Sequence, residues 1–247
     1  MIESSVLSPK PCLVIGLAGT IAAGKSTVGQ ILVEAGASHC DGDKLVHKLY
    51  DPGTPGFDRV VAAFGKDVIG ADGYIDRKAL GAKVFGKPAE MNRLTTAMGS
   101  ITEAIKGVID GWRAELPAEG VGVMEAVNLM EPGYARWCDQ VWLIGVDDAV
   151  AKERLIETRG MSPEEADQRI GAMIPLERRA PGADWVYKNN GSIEELREAV
   201  LAELARIRAA HSAGKLPESN FEPWWQAFVT ENRENLKKTG VVLADEV

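Results

Sequence analysis

The chain has 247 residues, of which 45% are hydrophobic, and carries a formal net charge of −8. This length and composition suit one α/β domain with insertions or a small lid, and the acidic balance argues against a general nucleic-acid binder. Three widely spaced cysteines form no disulfide framework or zinc pattern, and no apolar run approaches membrane-spanning length. We therefore expect a cytoplasmic protein with neither nucleic-acid nor membrane partners.

Apolar runs alternate with helical patterns, which predicts βαβ units and a parallel sheet covered by helices. The candidate strands cover residues 12–18, 38–40, 121–127, 140–146 and 185–187. A long, mostly helical segment at 44–116 separates the second strand from the third and could hold a second substrate. Capping boxes at Ser162 and Ser192 predict two further helix starts.

The first strand leads into a full match to the phosphate-binding pattern G-x-x-x-x-G-K-[ST]. This phosphate loop consists of Gly19, Thr20, Ile21, Ala22, Ala23, Gly24, Lys25, Ser26 and Thr27. Its backbone N–H groups and the following helix N-terminus are suited to a phosphate chain. Lys25 is expected to reach the outer phosphates and the Ser26 hydroxyl to bind Mg²⁺. The loop predicts a nucleoside triphosphate site, the alternative being a Gly-rich turn without a ligand.

Two carboxylates, Asp41 and Asp43, follow the second strand. The carboxyl ends of parallel strands face the ligand crevice, so both side chains are expected near the phosphate loop. One carboxylate there can take a proton from an acceptor hydroxyl. The alternative is that Asp43 caps the helix that begins after it.

Phosphoryl transfer also needs positive charge over the transferred group, and arginine supplies it best. Five arginines cluster around the helix that starts at Ser162: Arg154, Arg159, Arg169, Arg178 and Arg179. They predict a lid over about residues 152–182. The alternative is a solvated charged face paired with neighbouring glutamates.

The C-terminal segment at 212–247 differs in character from the rest of the chain. It contains Pro217, Pro223 and the adjacent Trp224 and Trp225, followed by a charged helical stretch at 226–238. Two indoles carry too much apolar surface to remain in water. We expect this extension to pack on the preceding domain (1–211) or to mediate self-association, with a helix starting after Pro223.

From residue 12 to 208 the chain resembles the dephospho-coenzyme A kinase family. The resemblance rests on the phosphate loop and on the order of several later motifs: Asp41-Gly42-Asp43, Phe64-Gly65, Asp76-Arg77-Lys78-Ala79-Leu80, Val84-Phe85, Met161-Ser162-Pro163-Glu164-Glu165 and Ala183-Asp184. It implies a P-loop kinase core, a helical coenzyme A-binding insertion and a lid. The implied reaction is transfer of the ATP γ-phosphate, with Mg²⁺, to the ribose 3′-hydroxyl of dephospho-coenzyme A.

The resemblance also implies roles for individual residues. Asp43 matches the base, with Asp41 beside it, and Lys25 and Arg154 complete the catalytic set. Residues implied to bind ATP are Ala22, Ala23, Gly24, Lys25, Ser26, Thr27 and Asn189, the last near the adenine. Residues implied to bind the acceptor are Asp41, Asp43 and Arg77, and Ser26 is the implied metal ligand.

The chain departs from the family pattern at several positions. Thr20, Ala22 and Ala23 replace residues of the usual Gly-Gly-Ile-Gly-Ser-Gly loop. Gly99-Ser100 aligns with a His-Pro pair, Thr158 with the second lid arginine and Met173 with a lid glutamine. Two alternatives therefore stay open: a P-loop kinase for another small hydroxyl acceptor, and a catalytically weak nucleotide- or coenzyme A-binding paralogue.

Overall fold

The computed structural model describes residues 11–238 and 243–244. A five-stranded sheet with the order β2-β3-β1-β4-β5 forms its centre, and every strand pair is parallel. The strands are β1 Leu13–Gly19, β2 Ser38–Asp41, β3 Val121–Glu125, β4 Gln140–Gly145 and β5 Trp185–Lys188. The predicted α/β class is confirmed. The ends of each predicted strand differ from the observed ends by at most two residues.

The strand register brings three functional positions to one edge of the sheet. Leu17 of β1 and Asp41 of β2 both pair with Glu125, the last residue of β3. The phosphate loop leaves the sheet at Gly19, just beyond Leu17. Parallel pairing therefore places the loop, Asp41 and Glu125 beside one another.

Helices cover both faces of the sheet. On one face, α1 Lys25–Glu34 and α10 Ile193–Ser212 pack on Leu13, Ile15 and Leu17 of β1. The capping box predicted at Ser192 begins α10: its Oγ accepts from Glu195 N at 3.2 Å, and the Glu195 carboxylate accepts from Ser192 N at 2.8 Å. On the other face lie α6 Ile101–Glu115 and α11 Phe221–Lys238.

The long segment between β2 and β3 forms a helical block. It comprises α2 Gly42–Lys48, α3 Pro55–Phe64, α4 Arg77–Val84, α5 Pro88–Met98 and α6. The block has its own small core, which includes Val60, Phe64, Val68, Leu80, Leu94 and Met98. It stands beside Asp41 and Asp43 because α2 begins directly where β2 ends.

The region after β4 contains three short helices, α7 Asp148–Arg159, α8 Pro163–Gly171 and α9 Leu176–Arg179. The capping box predicted at Ser162 begins α8. Lys152 of α7 pairs with Asp167 of α8 at 2.7 Å. This is the segment in which the lid arginines were predicted.

The C-terminal helix α11 packs on the chain's own core. Phe221 and Trp225 are fully buried and Phe228 is nearly so, in a cluster with residues that follow β3. The expectation that this segment packs back is thus confirmed; self-association stays a prediction. The helix begins at Phe221 and not, as predicted, after Pro223; it can include Pro223 because a proline in the first turn removes no intrahelical hydrogen bond. No helix in the described part of the chain is long and apolar enough to cross a membrane.

Candidate active site

The phosphate loop curls tightly at two positions with left-handed backbone. Gly24, at the N-terminus of α1, has φ 88°, and Ala22 has φ 56°. Thr20 N donates to Ile144 O of β4 at 2.9 Å, which fixes the start of the loop to the sheet. Such turns direct successive N–H groups toward one anion.

Two predicted site residues hold this loop in place. Asn189, which follows β5 and is buried, donates through Nδ2 to Ala23 O at 2.9 Å. Arg154 of α7 donates through Nη1 to Ala22 O at 3.1 Å. Both therefore lie against the part of the loop where phosphate oxygens would bind, although they come from distant parts of the sequence.

Lys25 lies where charges of both signs converge. Burial lowers its pKa, and the nearby Glu125 and Asp43 carboxylates oppose that effect. Arg179 and Arg159 lower the pKa further, so both guanidinium groups are near enough to act on the Lys25 charge. A single phosphate chain at Lys25 would thus be within reach of several cationic groups.

Glu125 is a site residue that the sequence analysis missed. It is buried at the end of β3, where Oε1 accepts from Ser26 Oγ at 3.0 Å and Oε2 lies 2.9 Å from His39 Nε2. The α1 helix approaches closely because Gly29 has no side chain: a Cβ there would lie 2.9 Å from Glu125 Oε2. The predicted strand extended to residue 127, so Glu125 was assigned to the strand interior. In the structure β3 ends at Glu125, and a correct strand end would have marked Glu125 as a residue at the ligand edge of the sheet.

Ser26 and Glu125 fit a magnesium ion. Hydroxyl and carboxylate oxygens are the donors that Mg²⁺ prefers, and it usually takes one or two carboxylates together with substrate phosphates. In residues 11–238 and 243–244 no group of three or more His, Cys, Asp or Glu side chains is gathered around a metal-sized space. A site completed by phosphates is consistent with that arrangement.

Asp41, and not Asp43, caps the helix after β2. Asp41 Oδ1 accepts from Lys44 N at 3.0 Å, and Oδ2 pairs with Lys44 Nζ at 2.9 Å. Burial opposes its ionisation, but these contacts outweigh burial and lower the Asp41 pKa. The alternative in which Asp43 caps α2 is wrong, because the last residue of β2 has the extended backbone that a cap requires.

Asp43 is left free to face the site from the first turn of α2. Its Oδ2 accepts from Val127 N at 3.3 Å. Desolvation by the protein atoms around the carboxyl raises its pKa, the Asp41 and Glu125 carboxylates add to the rise, and Lys25 opposes it. The side chain still keeps a solvent-accessible side. A carboxylate with a raised pKa is better suited to accept a proton near neutral pH.

Asp43 lies at the edge of a cavity of about 600 Å³, which we call the Asp43 cavity. Its walls come from α2, α5, α6, the segment after β3, residues 172–179 and α11. The lining residues include Asp43, Val46, Met91, Ile101, Ile105, Glu131, Tyr134, Met173, Arg179, Phe228, Asn232, Asn235 and Leu236. The cavity is mainly apolar, with a few charged or amide groups, as small-molecule sites usually are.

Arg179 connects this cavity to the phosphate loop. It is almost fully buried and donates to Gly19 O at 3.2 Å and to Val127 O at 3.4 Å. Its Nε lies 2.8 Å from Glu131 Oε1. Among the described residues, Arg179 Nε and Glu131 Oε2 are nonetheless buried without a geometrically aligned hydrogen-bond partner. Polar groups of this kind call for a further partner such as a ligand or water.

The remaining predicted arginines lie elsewhere. Arg169 is exposed on α8, and Arg178 is exposed with Glu231 at 3.8 Å, so the solvated-face interpretation describes these two. Arg77 is exposed at the start of α4, near His47 and Tyr50, in a separate surface depression. Arg77 therefore lies in the depression that His47 and Tyr50 line and does not line the Asp43 cavity.

The positions that depart from the family pattern have visible contacts. Ser100 caps α6 by accepting from Glu103 N at 3.0 Å, directly after Gly99 with φ 105°. The Thr158 hydroxyl donates to Arg154 O of its own helix. Met173 lines the Asp43 cavity and also a second cavity of about 360 Å³ that reaches Thr20 of the phosphate loop.

A parallel sheet, a phosphate loop, an adjacent carboxylate and arginines from a following helical segment define a P-loop kinase. Residues 13–195 match the family model described as dephospho-CoA kinase, so the chain belongs to that family and is a phosphotransferase. Similar proteins include dephospho-CoA kinases of Symbiobacterium thermophilum and Geobacter sulfurreducens. Each is 40% identical over 190 residues, which is 76% of this chain and 79% and 94% of those proteins.

Solved structures agree with the fold. The crystal structure of TT1252 from Thermus thermophilus has a TM-score of 0.67 and 26% identity, covering 80% of this chain and 99% of that one. Dephospho-CoA kinase from Campylobacter jejuni has a TM-score of 0.54 and 21% identity over 78% of this chain and 96% of its own. At that identity, the second likeness shows the fold alone.

Proposed function

We propose that this protein transfers the γ-phosphate of ATP to the ribose 3′-hydroxyl of dephospho-coenzyme A, the last step of coenzyme A biosynthesis. One observation carries the proposal: Asp43 borders a mainly apolar cavity and is electrostatically coupled to Lys25 of the phosphate loop. An acceptor hydroxyl at Asp43 is thereby adjacent to a phosphate chain at Lys25. Names of similar proteins support this acceptor, since the relatives are dephospho-CoA kinases.

In this proposal Asp43 is the general base. Its carboxylate accepts the proton of the acceptor hydroxyl while the hydroxyl oxygen bonds to the γ-phosphorus. The bond between that phosphorus and the bridging oxygen breaks, and ADP leaves. Lys25 and Arg154 supply positive charge to the oxygens of the transferred group, and Arg179, which bonds to Gly19 O, adds to it.

The remaining proposed roles concern binding. The backbone of Ala22, Ala23, Gly24 and Thr27 surrounds the phosphates, and Asn189 holds the loop in shape. Asp41 keeps Asp43 in position by capping α2, and Arg77 lies where a more distant part of the acceptor could reach it. We further propose the division into a domain at 1–211, with a coenzyme A-binding insertion at 44–116 and a lid at 152–182, and an extension at 212–247.

Magnesium would be held by Ser26 and Glu125 beside the phosphates. When bound, it neutralises charge on the β- and γ-phosphate oxygens.

Replacing Glu125 by Gln keeps the shape and removes the negative charge, and we expect the Mg²⁺ concentration needed for half-maximal rate to rise about tenfold or more. Titration of activity with Mg²⁺ at saturating ATP measures it. Glu119→Gln is the control, because Glu119 is an exposed carboxylate before β3. An unchanged Mg²⁺ requirement in Glu125→Gln would show that Glu125 does not bind the metal.

A coupled ADP-release assay tests the function. Dephospho-coenzyme A should support turnover, whereas adenosine, nucleoside monophosphates and no acceptor should give only background. Mass spectrometry and phosphorus NMR of the product should show one added phosphate on the 3′-hydroxyl. ADP release with one of the other acceptors and not with dephospho-coenzyme A would contradict the proposal.

The departures at Gly99-Ser100, Thr158 and Met173 from the family pattern leave two alternatives to the proposed function. The ADP-release assay distinguishes both from it. Met173 lines the Asp43 cavity, so a changed acceptor is the first of them. The second is a weak or inactive paralogue that binds nucleotide or coenzyme A. Calorimetry that detects ATP binding, but no heat from dephospho-coenzyme A up to millimolar concentrations, would favour the first; binding of both without turnover would favour the second.

A further inference from the structure

The C-terminal helix α11 supplies part of the Asp43 cavity. Phe228, Asn232, Asn235 and Leu236 line the cavity. Their spacing places them on one face of the helix, about one turn apart. The family match ends at residue 195, whereas α11 begins at Phe221. This wall of the cavity is therefore contributed by a part of the chain beyond the kinase family match.

Two adjacent tryptophans fix α11 to the segments that carry Glu131 and Arg179. Trp225 Nε1 donates to Glu131 O at 3.1 Å, and Trp224 Nε1 donates to Arg178 O at 2.9 Å. Trp225 is fully buried, and the Arg136 guanidinium lies 4.5 Å above its ring. The wall is thus held in a defined position before any ligand binds, which reduces the entropic cost of binding.

The cavity presents amide groups between apolar surfaces. Asn232 donates through Nδ2 to Phe228 O of the same helix at 2.8 Å, and its amide also carries a carbonyl oxygen that can accept. Nearby, Glu131 Oε2 is buried and lacks a hydrogen-bond partner in the described part of the chain. Phe228, Ile101 and Met173 supply apolar contact. A flat group with apolar faces and donors and acceptors at its edge matches this set, and a nucleobase is such a group.

We propose that α11 forms the nucleobase wall of the acceptor site, and that Asn232 and Asn235 are specificity-determining residues that bind the polar edge of the acceptor's adenine. The inference rests on the proposed function, because there the ribose 3′-hydroxyl lies at Asp43 and the adenine is attached to the same ribose. The Asp43 cavity, at about 600 Å³, is in the size range of small-molecule sites.

The test compares the double variant Asn232→Ala/Asn235→Ala with Glu234→Ala, an exposed residue on the same helix that does not line the cavity. Alanine favours helix more than asparagine does, so the double variant should fold, and thermal melting checks this. The KM for dephospho-coenzyme A should rise about tenfold, the scale of losing two ordinary hydrogen bonds. The KM for ATP should stay unchanged, and Glu234→Ala should match the parent protein.

A binding measurement separates this inference from the proposed function. Calorimetry with adenosine, run with a saturating non-hydrolysable ATP analogue to fill the nucleotide site, should give heat with the parent protein and much less with the double variant. A parent protein that binds adenosine in this way but does not phosphorylate dephospho-coenzyme A overturns the function and leaves the nucleobase wall supported. An active double variant with unchanged KM for dephospho-coenzyme A and unchanged adenosine heat overturns the inference alone.

Discussion

The phosphate loop and the Asp43 cavity lie on either side of Asp43 and are built in different ways. The loop is a run of consecutive residues, 19–27, between β1 and α1. The cavity is assembled from separate segments that extend from Gly42 to Leu236. The phosphate-binding groups of the donor side therefore come from one local turn of backbone, which distant residues support, whereas the acceptor side is formed by long-range packing. Met173 and α11, which depart from or extend beyond the family pattern, both contribute to the acceptor side.

The largest expected effect is on the donor side. Lys25→Ala should reduce kcat by about a hundredfold or more, because it removes a preorganised charge from the transferred phosphate. Steady-state ADP release measures the loss. Lys106→Ala is the matched control, since Lys106 is exposed on α6 and pairs only with Asp110 in the described ion pairs. Near-normal turnover of Lys25→Ala would show that the loop does not serve phosphoryl transfer.

Asp43, between the two regions, should give the next largest effect. Asp43→Asn keeps the shape but cannot take the proton, so kcat should fall by about a hundredfold while the Kd for ATP changes little. Asp41→Asn is the control: asparagine caps helices well, so its kcat should stay close to that of the parent. If Asp41→Asn lost activity and Asp43→Asn retained it, Asp41 and not Asp43 would be the general base.

The raised pKa of Asp43 adds two pH effects. Activity should decline as the pH falls through that raised pKa, because the base must be ionised. The contribution of Asp43 to folding stability depends on pH in the opposite direction. A carboxyl whose pKa is raised by folding stabilises the fold below its unfolded pKa, and that contribution is lost as the pH rises through the folded pKa. Asp43→Asn should therefore melt higher than the parent at neutral pH, with the difference disappearing in acid.

Sequence patterns identified the elements that depend on near neighbours in the chain. The five strands, the phosphate loop and the capping boxes at Ser162 and Ser192 are short local patterns, and the structure contains all of them. Glu125 was missed because its role depends on which residue ends β3, and strand ends are less distinct than strand interiors. Arg179 could not be separated from Arg178 because their burial differs only through tertiary packing.

The acceptor side was harder to predict from the sequence, because it too depends on tertiary packing. Asn232 and Asn235 belong to no motif, and only the docking of α11 through Trp224 and Trp225 brings them to the cavity. The sequence indicated that the two indoles must be buried, but not against which surface. Arg77 was expected in the acceptor site from resemblance, and it lies outside the Asp43 cavity.

The smallest expected effect concerns backbone strain in the loop, and it tests whether the donor side is determined by local geometry. Ala22 has φ 56°, a left-handed conformation that costs a residue with a Cβ roughly 1 kcal/mol or more, whereas glycine adopts it freely. Ala22→Gly should therefore raise Tm by about 2 °C, after allowance for the greater chain entropy of glycine in the unfolded state. Ala23→Gly is the matched control. Ala23 is buried with an ordinary negative φ, so the same change should lower Tm. Differential scanning calorimetry measures both variants, and a fall in Tm of similar size in each would mean that Ala22 is not strained.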